Sequence, residues 1–187
     1  MFIFGVIFAL VAGILFGLIG PTTKIAYNSG ASVALTIFLR YAVASIIIIP
    51  FIPYQKNLLE IFKKNLKYFL SISAGSILLT LGLLTSVIFI EVSLTILIFC
   101  LYPIYVLLFS IIVDKEKISL TVKILFFITF LGIVLVIGPS FKVINIVGIL
   151  LAFLASLGST SMIIVNQKMS IKGISPIPIN IFINVFN

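Results

Sequence analysis

The sequence predicts an all-α protein, a polytopic bundle of transmembrane helices. Two observations carry that fold class. Hydrophobic residues make up 63% of the chain and charged residues 9%, against roughly half and a quarter in a soluble domain. Stretches 68–90, 92–113 and 143–167 hold no charged residue at all, and each reaches the ~20 apolar residues that cross a ~30 Å hydrocarbon core. Their apolar runs are continuous rather than alternating, which excludes a membrane barrel and leaves helices.

Six spans follow in order: 2–25, 33–53, 68–90, 92–113, 121–139 and 144–166. The first shows no signal-peptide pattern, because no cation precedes Lys24. The second is interrupted by Arg40. The connection 54–67 is the most polar, and its Leu58, Leu59, Ile61 and Phe62 predict a short interfacial helix. The third and fourth spans are joined so tightly at 89–92 that they form an antiparallel hairpin. Ser119 is placed to cap the fifth. Pro176 and Pro178 can open a seventh helix, since proline suits a first turn.

Cation placement orients the bundle. Lys56, Lys63, Lys64, Lys67, Lys115, Lys117, Lys123, Lys168 and Lys172 fall on one side, and only Lys24 and Lys142 on the other. The positive-inside rule puts the nine, and with them the N-terminus, in the cytoplasm. The net charge of +8 is therefore a topological signal, and nucleic acid is not an expected partner. Lone Cys100 and the absence of histidine exclude a Cys/His metal site, and no cofactor is expected. Without paired membrane carboxylates or a nucleophile–base pair, an enzyme is not expected. No filter-like segment or charge ring points to a channel.

The chain matches itself without gaps at an offset of 143 residues: Gly5, Ala9, Ala12, Gly30 and Ser32 fall on Gly148, Ala152, Ala155, Gly173 and Ser175. Gly5, Ala9, Gly13 and Gly17 recur every four residues, as do Gly148, Ala152, Ser156 and Thr160. Such stripes let helices approach closely in lipid. An odd number of helices, five, separates the copies, so the sixth span runs opposite to the first. That is an inverted-topology repeat, an architecture of secondary transporters.

Four segments resemble the EamA-type transporters of the drug/metabolite transporter superfamily. They are the Gly/Ala-rich helix 5–26 ending Gly20-Pro21-Thr22-Thr23-Lys24; Phe38-Leu39-Arg40-Tyr41; Ser93-Leu94-Thr95 with Tyr102-Pro103-Ile104; and the turn Asp114-Lys115-Glu116-Lys117-Ile118-Ser119. The resemblance implies two inverted five-helix repeats. Residues 1–140 would form the first and 141–187 the start of the second, incomplete here. It also implies alternating-access movement of a small metabolite, often export of amino acids or related compounds, across a bacterial cytoplasmic membrane. With one full helix of the second repeat, the 187-residue chain is expected to be inactive as an isolated monomer. The alternative is a non-transporting fragment with a structural role only. The first span lacks the membrane glutamate that small multidrug-resistance relatives use for proton coupling.

Candidate substrate contacts are Arg40, Ser76, Thr80, Thr95, Tyr102, Pro103 and Tyr105. Arg40 sits ~10 Å inside the outer boundary, counting ~1.5 Å per residue from Val33. Its fork suits an anionic or zwitterionic metabolite, or it bonds helix-end carbonyls or snorkels outward. Pro103 should kink the fourth span and free the carbonyl of Phe99. Thr95, Cys100, Tyr102 and Tyr105 then line a cavity wall, or the kink serves packing alone. Ser73, Ser76 and Thr80 form a polar stripe that faces substrate or bridges helices. Glu91 pairs with Arg40 or Lys24, takes a proton, or is a solvated turn residue. Asp114 and Glu116 read as solvated.

Overall fold

The structure, a computed structural model, describes residues 2–54, 57–115, 118–137 and 144–187. Lys56, Glu116, Lys117, Lys142 and the expected boundary between 140 and 141 lie outside the described residues. Among those described there is no strand. The helices are α1 (Phe2–Gly17), α2 (Ile19–Asn28), α3 (Val33–Ile48), α4 (Leu58–Lys64), α5 (Leu66–Phe89), α6 (Val92–Phe99), α7 (Tyr102–Ile112), α8 (Leu120–Ile137), α9 (Ile146–Ile171) and α10 (Pro176–Phe186). A helix lies in each of the six expected regions, and a helix does open at Pro176; α3 and α8 are the shorter ones.

Prolines explain where the helices differ from the expected spans. The first span is interrupted at Leu18, because Pro21 cannot donate to the carbonyl of Gly17. The second ends early, at Ile48, and continues as a 3-10 segment, Ile49–Tyr54, that contains Pro50 and Pro53. The fourth breaks at Cys100–Leu101, with Pro103 in the first turn of α7. The expected kink is there, but it divides the span into two helices. Among the described residues, four stretches, Ile3–Asn28, Leu66–Phe89, Val92–Ile112 and Ile146–Ile171, are long and apolar enough to cross a membrane.

The centre of the bundle is the pair α5–α9. Three glycines, Gly75, Gly82 and Gly158, let their backbones meet. A methyl group added at Gly158 would lie 2.5 Å from the carbonyl oxygen of Gly75 and 2.6 Å from the amide of Leu79. Gly82 meets Leu151 and Ala155 in the same way, and Gly148 packs under Phe89 and Ile90. The stripe Gly148, Ala152, Ser156 and Thr160 is therefore buried as expected. Its counterpart on α1 is not: Gly5, Gly13 and Gly17 have nothing near them. That helix turns Phe4 and Phe8 outward, which suits contact with lipid chains.

The turns after α2 and α9 repeat each other. Gly30 and Gly173 adopt φ of +90° and +75°, which glycine tolerates. Gly30 N–H donates to Tyr27 and Ala31 N–H to Ala26. Gly173 N–H donates to Ser170 and Ile174 N–H to Met169, 143 residues on in each case. This is a Schellman closure of the helix end. Ser32 and Ser175 then take the N-cap position of the next helix.

At the lysine-rich end, α4 and α10 close the bundle. Leu59 of α4 is exposed while Phe62 is buried, as an interfacial helix requires. Phe62, Phe69 and Phe182 pack edge to face or tilted at 4.7–5.2 Å between ring centres. Ser45 donates to the carbonyl of Asn184, and Ser73 to the side chain of Asn187. Lys172 lies 4.2 Å from the centre of the Tyr68 ring and Lys168 lies 5.2 Å from that of Phe109. Asp114 is exposed, as expected, and reaches Lys168 at 3.8 Å on the surface. The two helix ends that carry them are adjacent.

Candidate functional site

Two broken helices face each other across one cavity. The first break follows from Gly17-Leu18-Ile19-Gly20-Pro21 and the second from Cys100-Leu101-Tyr102-Pro103. Between them lies a cavity of about 210 Å³. Phe16, Gly17, Ile19 and Gly20 form one wall, and Thr95, Ile96, Phe99, Cys100 and Tyr102 the opposite one. Leu83, Leu84 and Val87 of α5 close the back. The rings of Phe16 and Phe99 meet across it at 5.9 Å, and Tyr102 lies 5.2 Å from Phe99.

Each proline deletes a backbone donor. The carbonyls of Gly17 and Phe99 thus lose the amide four residues on, and both residues line the cavity. Hydroxyls nearby are engaged elsewhere. Thr22 donates to the carbonyls of Leu18 and Ile19, and Thr160 to that of Tyr102 at 3.3 Å. In a membrane, irregular backbone is tolerated where protein buries it or where it lines a cavity.

The wall containing α2 is held in place by Lys24, an outer-face cation in the sequence and a possible partner there of Glu91. Lys24 Nζ donates to the carbonyl of Val87 at 2.9 Å. That carbonyl is in the last turn of α5, where no helical amide remains to pair with it. The ammonium also favours the negative end of the helix dipole. Gly20, four residues earlier on the same face, allows close approach: a methyl there would lie 2.8 Å from Val92.

The expected contact residues divide among several places. Thr95 and Tyr102 line the cavity, but Thr95 is fully buried, with its hydroxyl 3.0 Å from that of Ser86. Ser86 in turn donates to the Gly148 carbonyl at 2.8 Å. This chain bridges α5, α6 and α9. Ser76 and Thr80 are brought together by Tyr41, whose hydroxyl lies 3.1 and 3.0 Å from theirs. Tyr41 was part of a recognised motif yet was not singled out. Its spacing to a polar stripe on another helix is invisible in sequence. Pro103 lines a separate, more open apolar groove with Ile104, Leu125, Phe126, Thr129, Phe130 and Ile133. Tyr105 lies beside Phe153, 6.4 Å between ring centres. Arg40 is half-buried on α3, outside the cavity wall. Among the described residues the one ion pair is Lys168–Asp114, so Arg40 and Glu91 do not pair.

The sequence model of the EamA-like transporter family matches residues 3–138. That stretch contains both proline breaks. No curated protein and no solved structure matches the chain.

Proposed function

Because this chain belongs to the EamA-like transporter family, a family of multi-pass membrane transporters, we propose that it works as a secondary transporter of a small metabolite by alternating access. The observation that carries this function is the cavity between the two proline breaks. Discontinuous helices are where transporters of inverted-repeat type bind their cargo. Here residues far apart in sequence, 16–20 and 95–102, converge on one apolar chamber.

The matching turns at Gly30 and Gly173 support an internal repeat in which 141–187 begins a second copy of 1–140. The cavity is lined by residues of the first copy alone, so access to it depends on movement of α1 and α2 against α5 and α6. The lysine-rich end is assigned to the cytoplasm of a bacterial cell, with the N-terminus on the same side. Substrate contact falls to Tyr102 in the cavity wall, while Thr95 behind it ties α6 to Ser86. Pro103 acts through the Phe99 carbonyl it frees. Ser76 and Thr80 hold α3 to α5 through Tyr41, and Tyr105 packs beside α9. Arg40 is assigned to an anionic group of the cargo at a stage of passage outside this cavity.

The test is equilibrium binding of radiolabelled amino acids, amines and carboxylic acids to the purified chain in detergent. At least one class should bind saturably. Gly17→Leu adds a side chain at a lining position where an added methyl meets nothing within 4 Å; it should abolish that binding while leaving helix content unchanged. Saturable binding that Gly17→Leu leaves intact would put the site elsewhere.

A further inference from the structure

We propose that the corner between α4 and α5 binds the headgroup of an anionic phospholipid, with Lys63, Lys64, Lys67 and Lys172 as its receptors. Three observations carry this, and none depends on the cargo chamber. The first is the gathering of charge. Phe62 of α4 and Phe69 of α5 turn inward and meet edge to face at 4.7 Å between ring centres. That contact leaves Lys63, Lys64 and Lys67 exposed on the other side of the corner. Lys172, just past the end of α9, joins them by lying 4.2 Å from the centre of the Tyr68 ring. Lys24 and Lys168, by contrast, are engaged by the Val87 carbonyl and by Asp114. Among the described residues no ion pair neutralises the four lysines of the corner. Glu60 is the one carboxylate on α4, so the corner keeps an excess of positive charge. A cluster of lysines on a short interfacial helix beside a span attracts anionic lipid.

The second observation is height. The 24 residues of α5 rise ~36 Å, about one turn more than a ~30 Å hydrocarbon core requires. Its first turn, with Lys67, therefore reaches the level of the headgroups. The third is an apolar track that leaves the lysines. Leu66, Leu70, Ile77, Leu81 and Ile88 recur at intervals of four and seven, so they share one face of α5. All five are exposed, by 40–55%. Leu59, exposed and one turn before Lys63 on the same face of α4, adds an apolar contact at the interface. A phospholipid uses both parts, its phosphate on the ammonium groups and an acyl chain along the leucine face. A free phosphate would use only the lysines. Phe62 also packs against Phe182 of α10 at 5.2 Å, so a lipid that holds α4 steadies the seat of α10 as well.

A ligand of the folded chain raises its unfolding temperature by mass action. The full chain in detergent is titrated with phosphatidylglycerol, with phosphatidylcholine and with soluble glycerol phosphate. Phosphatidylglycerol should raise the midpoint by about 2–4 °C or more beyond phosphatidylcholine, and glycerol phosphate should leave it unchanged. Lys63→Gln, Lys64→Gln and Lys67→Gln together should remove the gain. Lys115→Gln with Lys123→Gln, on the same face of the membrane but on the far connection, should keep it. Phosphatidylglycerol should also slow acetylation of Lys63, Lys64 and Lys67 in the wild-type chain several-fold relative to Lys115 and Lys123, read by mass spectrometry. That measurement decides the matter if the triple variant does not fold. An equal gain from phosphatidylcholine would overturn the requirement for an anionic headgroup. An equal gain from glycerol phosphate would make the corner a site for free anions and overturn the lipid. Equal loss in both sets of variants, or equal protection of all five lysines, would reduce the effect to net charge and overturn the site.

Discussion

Single atoms decide how closely this bundle packs. At Gly158 a methyl group meets backbone at 2.5 Å, whereas at Gly5 it meets nothing. The same substitution should therefore have opposite signs. Gly158→Ala forces α5 and α9 apart and should lower stability by about 1–3 kcal/mol. Gly5→Ala removes backbone entropy from an exposed helix and should raise it by about 0.5–1 kcal/mol. Thermal unfolding midpoints in one detergent compare the two directly, and a fall of similar size in both would refute the packing assigned to α1. Lys24 gives a second residue-scale prediction. Lys24→Met leaves the Val87 carbonyl without its charged donor and should cost about 1.5–3 kcal/mol. Lys24→Arg should recover much of that loss. A methionine variant as stable as wild type would show that the bond contributes nothing.

At the scale of elements, the spans were legible because charge is excluded from them and apolar length is fixed by the bilayer. The hairpin at 89–92, the helix at 58–64 and the helix opening at Pro176 follow from Glu91, from the Leu58–Phe62 pattern and from the paired prolines. The break in α1–α2 was legible in principle, since Pro21 removes a helix donor inside the first span as Pro103 does inside the fourth. What the sequence could not reveal is which breaks face each other. Nothing in 16–20 announces that it meets 95–102, because that pairing depends on how α2 docks on α5 and α6. Likewise Ser76 and Thr80 were read as possible cargo contacts, while their hydroxyls are shared with Tyr41 on α3. Tyr41→Phe removes both bonds and keeps the ring. It should lower stability by about 1–2 kcal/mol and leave metabolite binding in the chamber unchanged. A loss of binding with unchanged stability would instead place Tyr41 among the substrate contacts.

For the whole molecule, orientation and access come together. Ser170 lies at the lysine-rich end and Asn28 at the other, both exposed. With Cys100→Ser as background, a cysteine at position 28 should react with an impermeant thiol reagent in intact cells, and one at 170 only after the membrane is opened. The reverse pattern would invert the topology. The most direct test of the chamber itself uses the native Cys100, which lines both it and the neighbouring groove. The rate of alkylation by a small, permeant thiol reagent is measured with and without the metabolite that the binding panel identifies. That ligand should slow the reaction several-fold in the wild-type chain and leave it unchanged in Gly17→Leu. Equal rates with and without it in the wild-type chain, at concentrations where it is bound, would place the ligand away from the two proline breaks.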